Sequence, residues 1–213
     1  MQSSVSTVPP QGGGRALVIA LPVVAAVTAA SMLWVDQPVA RAVAGLLFSA
    51  SAGTGAWHVP DLLLPVTAVL TTVSWAGRWY LARRGASGPL VVLLARLGWT
   101  LPAAFVAKDV LKLVFGRVET RAWLDHPQWA GFHWFSTGTY FDGFPSGHMM
   151  VFAALAAAVW GLYPRWRWLM VGMLTGLAGA MILLDYHFVS DIIAGTYLGF
   201  AVHGVVRALQ QPQ

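Results

Sequence analysis

Residues 144–162 read Phe144-Pro-Ser-Gly-His148-Met-Met-Val-Phe-Ala-Ala-Leu-Ala-Ala-Ala-Val-Trp-Gly-Leu162, a polar turn that runs without a break into an apolar stretch. Pro145, Ser146 and Gly147 signal a helix start, and no charged residue follows for the rest of the run. The whole chain shares this character. Of its 213 residues 57% are hydrophobic and 10% charged, with a mean hydropathy of +0.65. A soluble domain carries roughly 25% charged residues. The surplus of apolar surface has to face lipid, so the composition indicates an integral membrane protein. With no cysteine, disulfides, thiolate nucleophiles and zinc–thiolate sites are excluded. The net charge of +5 fits cations flanking membrane spans better than a nucleic-acid surface.

A membrane helix needs about 20 mostly apolar residues. Six stretches meet or approach that length: 15–35, 60–81, 89–114, 147–163, 167–184 and 188–208. The expected architecture is therefore all-α, a polytopic six-helix bundle, with residues 38–52 as a short extra interfacial helix. Residues 1–14, rich in Ser, Pro, Gly and Gln, read as a disordered tail, and 15–213 as one domain. Six spans place both termini and the 82–88 and 164–167 connections on one side. That side holds Arg15, Arg78, Arg83, Arg84, Arg165, Arg167 and Arg207, against Arg41, Lys112, Arg117 and Arg121 opposite. The excess marks the first side as cytoplasmic. The expected location is a bacterial inner (plasma) membrane, and Arg96 is expected to snorkel or pair within the third span.

Three clusters then share the outer, periplasmic or extracellular face. Lys112-Leu-Val-Phe-Gly116-Arg117 ends the third span, Phe144-Pro-Ser-Gly-His148 opens the fourth, and His187-x-x-x-Asp191 opens the sixth. The free N–H groups at a helix start and the positive end of its dipole favour an anion, and Gly147 lets that backbone approach closely. His187 and Asp191 lie one helical turn apart, where a carboxylate can hold an imidazole tautomer. Lys112 and Arg117 supply positive charge suited to phosphate oxygens.

In these motifs, their order and the six-span layout, residues 60–205 resemble the type 2 phosphatidic acid phosphatase superfamily of membrane enzymes. The resemblance implies phosphoryl transfer with no metal and no other cofactor. In it, His187 attacks phosphorus to form a phosphohistidine, oriented by Asp191. His148 serves as acid and then base, while Lys112, Arg117, Ser146 and Gly147 bind the phosphate. The implied partners are a membrane lipid phosphate and the bilayer, not nucleic acid. Two positions depart from the pattern. Glu119-Thr120 stands where the family has Arg-Pro seven residues after its lysine, and Ala180-Met181 stands where it has Ser-Arg before the last histidine. Lys108 or Arg121 is a possible substitute cation, and Glu119 a solvated acid or a group that positions water or a head group.

The main expectation is thus a lipid phosphate or diphosphate phosphatase. The alternatives are a lipid head-group phosphotransferase and, in another class, a non-catalytic lipid-phosphate binder or transporter. Among the remaining features, Lys108-Asp109 reads as local charge compensation and Asp185 as a solvated or paired interfacial residue. Trp123, Trp129 and Trp134 read as an interfacial aromatic belt. Gly172, Gly176, Gly179 and Ala180 read as close helix packing, and Met149 and Met150 as core filler. His58, His126 and His133 show no metal-ligand spacing.

Overall fold

A computed structural model describes residues 12–47, 62–136, 138 and 140–210 of the chain. Met1 to Gln11 of the expected tail, residues 48–52 of the interfacial segment and His58 lie outside the described residues. The described part forms eight α-helices: α1 Gly12–Trp34, α2 Asp36–Leu47, α3 Leu63–Arg83, α4 Pro89–Phe115, α5 Thr120–Asp125, α6 Gly147–Leu162, α7 Arg167–Leu183 and α8 Val189–Leu209. Six of these, α1, α3, α4, α6, α7 and α8, match the six expected spans. The interfacial helix is α2, and a second short helix, α5, occupies the long polar interval.

Within the described residues, four helices are long and apolar enough to cross a membrane: Gly14–Trp34, Pro89–Phe115, Pro164–Leu183 and Val189–Leu209. Helix α3 is diluted by Thr71, Thr72, Ser74 and Arg78. Helix α6 has only 16 residues, about 24 Å of rise. Its shortness suits its place at the centre, where Met149, Met150, Val151 and the alanines at 153, 154, 156, 157 and 158 are all buried. Helices α4, α7 and α8 all pack against α6, and α4 and α8 also touch each other. Spans three, four and six therefore meet, as the sequence requires for its clusters to converge.

Lipid chains are as apolar as leucine, so close van der Waals packing rather than water exclusion has to hold these helices together. The glycines that provide it are Gly195 and Gly199 on α8. A Cβ at Gly195 would meet the Ser146 carbonyl oxygen at 2.5 Å, and one at Gly199 would overlap the Met150 carbonyl oxygen and meet Ala153 Cβ at 2.8 Å. The expectation for Gly172, Gly176 and Gly179 fails, because all three face open space. Two other expectations change. Trp123 is a core residue, packed with Ala40, Val118, Ala122 and Phe188, because α5 folds back onto α2 and the start of α8. Asp185 is buried in the turn after α7. Met149 and Met150 are core residues, as expected.

Gly199→Ala is expected to lower stability by about 1–3 kcal/mol through overpacking, whereas Gly176→Ala should be neutral or slightly stabilising. Thermal unfolding of both variants in one detergent provides the comparison. Equal shifts would mean that α6 and α8 do not depend on this close approach.

Candidate active site

The start of α6 and the start of α8 meet at one point. The Ser146 N–H donates to the Asp191 carbonyl oxygen at 3.1 Å, so Pro-Ser-Gly-His and His-x-x-x-Asp are joined backbone to backbone. Ser146 caps α6 by accepting from the Met149 N–H. Asp191 closes the first turn of α8 by accepting the Phe188 N–H at 2.9 Å. Two helix N-termini with their positive dipole ends thus converge beside the two histidines, an arrangement that favours an anion. The Phe144–Pro145 peptide bond that leads into α6 is cis.

Lys108 reaches the same point, since a Cβ at Gly147 would meet its Cδ at 2.5 Å. Its ammonium pairs with Asp109 at 2.5 Å and lies over the Phe105 ring. The local compensation expected for Lys108-Asp109 is therefore present.

Gly116 turns the chain out of α4 in the left-handed conformation, φ 53°, where a side chain would collide with the His133 carbonyl. The turn sends Arg117 inward. Its guanidinium is buried and donates to Asp191 at 2.5 Å, to Ser190 Oγ at 2.6 Å and to Asp36 at 2.7 Å. Three of its five N–H donors are thereby committed to protein acceptors. Asp36 also accepts from the Ser190 hydroxyl at 2.5 Å, the Ser190 N–H at 3.0 Å and the Ser31 hydroxyl at 3.4 Å. The sequence reading missed Asp36 and Ser190. The available signal was a lone carboxylate directly after the first apolar run.

His187 is buried, with Nδ1 3.8 Å from the Asp191 carboxylate. That spacing is electrostatic contact short of a hydrogen bond, and Nδ1 has no hydrogen-bond partner. His148 occupies the first turn of α6. Lys112 donates to Asp142 at 3.2 Å, a partner the sequence reading also missed, and Asp142 in turn feels the His187 ring. Arg121 turns to the end of α7, near enough for Glu119 to feel its charge: it donates to the Leu184 carbonyl at 3.0 and 2.7 Å, over the Tyr186 ring. It thus neutralises the carboxyl end of α7, as a cation at a helix C-terminus does. The His126 ring lies tilted against Trp129, with centroids 4.2 Å apart, and His133 Nε2 contacts the Trp129 carbonyl.

A sequence profile of the PAP2 superfamily matches residues 93–213, more than half of the chain. The chain belongs to the PAP2 superfamily. It is 30% identical over 105 residues to a lipid A 1-phosphatase of Rhizobium johnstonii, spanning 49% of this chain and 43% of that protein. It is 34% identical over 90 residues to phosphatidylglycerophosphatase B of Escherichia coli K12, spanning 40% of this chain and 35% of the relative. The matches thus span less than half the length of these curated relatives. A crystal structure of a PAP2-type phosphatidylglycerolphosphate phosphatase from Bacillus subtilis is also similar. It shares 16% identity at a TM-score of 0.42, covering 93% of this chain and 96% of the other.

Where the PAP2 pattern has its two further arginines, this member carries an acid and a thioether. Met181 is buried against Ile192 and Met149, and its carbonyl accepts the Tyr186 N–H. Glu119 sits half-buried beside Asp142. Burial first, and then Asp142, push the Glu119 carboxyl up to about 8. Burial raises Asp142 too, but Lys112, the hydrogen bond from Glu119 and His187 together hold it below its usual range. At neutral pH the pair therefore shares one proton.

The folded chain holds that proton between pH 4.5 and about 8, where the unfolded chain has released it. Stability should therefore fall as pH rises through this window. Melting temperatures in detergent are expected to fall less steeply there for Glu119→Gln than for the wild type. Parallel slopes would show that Glu119 titrates normally.

Proposed function

We propose that the chain is a membrane phosphatase that hydrolyses a lipid phosphate or diphosphate through a phosphohistidine, with no metal ion in the reaction. The observation that carries this reading is the Ser146–Asp191 backbone bond. It draws two dipole ends, two histidine motifs and a lysine to one point at the end of the bundle. A phosphate head group can enter there while its acyl or prenyl chains stay in lipid.

The reaction takes two displacements. Nε2 of His187 attacks phosphorus, an N–P bond forms, and the P–O bond to the lipid breaks as His148 gives its proton to the leaving oxygen. Water then attacks the phosphohistidine while His148 takes the water's proton. Inorganic phosphate leaves and His187 is restored. The Asp191 carboxylate faces Nδ1, which keeps the proton there and leaves Nε2 as the nucleophile. The 3.8 Å gap closes to a hydrogen bond with a small ring rotation, as catalytic contacts often do when substrate binds. Lys112, Ser146 and Gly147 bind the phosphate oxygens and stabilise the charge that spreads over them. Arg117, being committed to Asp36 and Asp191, acts chiefly by orienting Asp191.

The excess of arginine at the opposite end of the bundle supports an outward-facing site in a bacterial inner membrane. Chemically suitable substrates are phosphatidic acid, phosphatidylglycerol phosphate, polyprenyl diphosphate and lipid A phosphates. A second reading, head-group transfer to an acceptor lipid, draws support from the Glu119–Asp142 pair. A protonated acid beside an ionised one offers a donor and an acceptor to a hydroxyl.

Purified protein in detergent with a chelator is expected to release phosphate from one of these lipids with water alone. His187→Ala should lower that rate more than about a thousandfold, and His148→Ala by about 10² to 10⁴. Release by His187→Ala at the wild-type rate would remove His187 from the mechanism. Release that requires an added acceptor lipid would favour transfer, and binding with no turnover would favour a non-catalytic binder.

A further inference from the structure

Among the described residues the acids are confined to one end of the bundle. Asp36, Asp109, Glu119, Asp125, Asp142, Asp185 and Asp191 all lie in the half that holds His148 and His187, where Lys108, Lys112 and Arg117 pair with several of them. At the other end three arginines converge. Arg78 of α3, Arg96 of α4 and Arg207 of α8 line one cavity of about 430 Å³, with Trp99 and Gln210. That size is within the range of small-molecule sites, about 300–1,000 Å³. Its walls are tied together, since the Gln210 side chain donates to the Ala95 carbonyl at 3.4 Å and Trp75 Nε1 donates to the Gly98 carbonyl at 3.0 Å.

These arginines are not ordinary exposed flanking charges. All three are partly buried, whereas Arg83, Arg84, Arg165 and Arg167 at the same end are exposed. Arg96 is seven residues into α4, roughly 10 Å from its start, and feels the charge of Arg207 directly. Like charges this close, one of them at that depth, are costly unless something neutralises them. Arg96 does reach the last turn of α6, where a Cβ at Gly161 would lie 4.0 Å from its Nη1. A helix carboxyl end supplies only about −0.5 charge, too little for three guanidinium groups. Arg207 also borders a second cavity, of about 650 Å³, between α1, α6 and α8, so apolar space adjoins the cationic site.

We propose that the cavity lined by Arg78, Arg96 and Arg207 binds the phosphate of an anionic phospholipid from the leaflet opposite the histidines. Guanidinium groups hold phosphate oxygens by paired N–H donors, and basic pockets between membrane helices hold anionic head groups in this way. The exposed apolar surfaces of α3 and α4 on either side accommodate the acyl chains. The site lies at the far end of the bundle from His187, so its occupancy does not depend on the reaction there.

The test is the rise in melting temperature of detergent-solubilised protein on adding phosphatidylglycerol, with phosphatidylcholine and inorganic phosphate as separate arms. A larger rise with phosphatidylglycerol than with phosphatidylcholine is expected in the wild type. The difference should fall by at least half in Arg96→Gln/Arg207→Gln and persist in Arg83→Gln/Arg165→Gln. In phosphatidylcholine alone the Arg96→Gln/Arg207→Gln protein should melt no lower than the wild type, because a repulsion has been removed. If it fails to fold, which would itself contradict that expectation, Arg78→Gln at the rim supplies the same comparison. A matching rise with inorganic phosphate, lost in the same variants, would keep the anion site and make free phosphate its ligand. An equal phosphatidylglycerol effect in all variants, or equal loss in the exposed-arginine control, would overturn the proposal.

Discussion

A single buried guanidinium, Arg117, holds together three segments that are far apart in the chain. Asp36 follows the first helix, Arg117 follows the fourth, and Ser190 and Asp191 open the eighth. Taking these charges out of water is costly, and the cost is offset only because nearly every oxygen and N–H in the knot has a partner. Removing one partner would leave an unpaired charge in a medium that cannot solvate it. The two carboxylates and one guanidinium leave a net charge of −1 behind His187, so the knot both locates Asp191 and gives the imidazole a negative neighbour.

This electrostatic knot acts together with helix packing. Gly195 and Gly199 let α8 lie against the backbone of α6, and that approach brings the Asp191 carbonyl to the Ser146 N–H. The shared helix start is thus a consequence of two absent side chains. Gly116 has the complementary task of ending α4 abruptly enough for Arg117 to turn inward. Three glycines and one ion-pair network therefore account for a site whose components are spread over more than 150 residues.

The apolar runs made the bundle legible in the sequence, because a helix in lipid advertises itself by length and composition. The motifs at helix starts were legible because Pro-Ser-Gly-His and His-x-x-x-Asp each carry a local geometric meaning. Asp36 was not, since Arg117 and Ser190, the partners that tie it to the site, are 81 and 154 residues away and no periodicity links them. Frequent small residues draw attention to α7, although Gly195-x-x-x-Gly199 on α8 has the spacing that lets two helix backbones approach. Tryptophan often sits at a membrane interface, but the fold of the polar interval onto α2 buries Trp123. Glu119 and Met181 were visible as departures from the family pattern. That Glu119 shares a proton with Asp142 depends on burial that only the fold supplies.

The central claim is that Asp36 and Arg117 act as one unit. A double-mutant cycle with Asp36→Asn, Arg117→Met and the combined variant, read by unfolding in detergent, tests it most directly. Each single change is expected to cost about 3–5 kcal/mol, and the pair much less than the sum. Additivity to within about 0.5 kcal/mol would contradict the account.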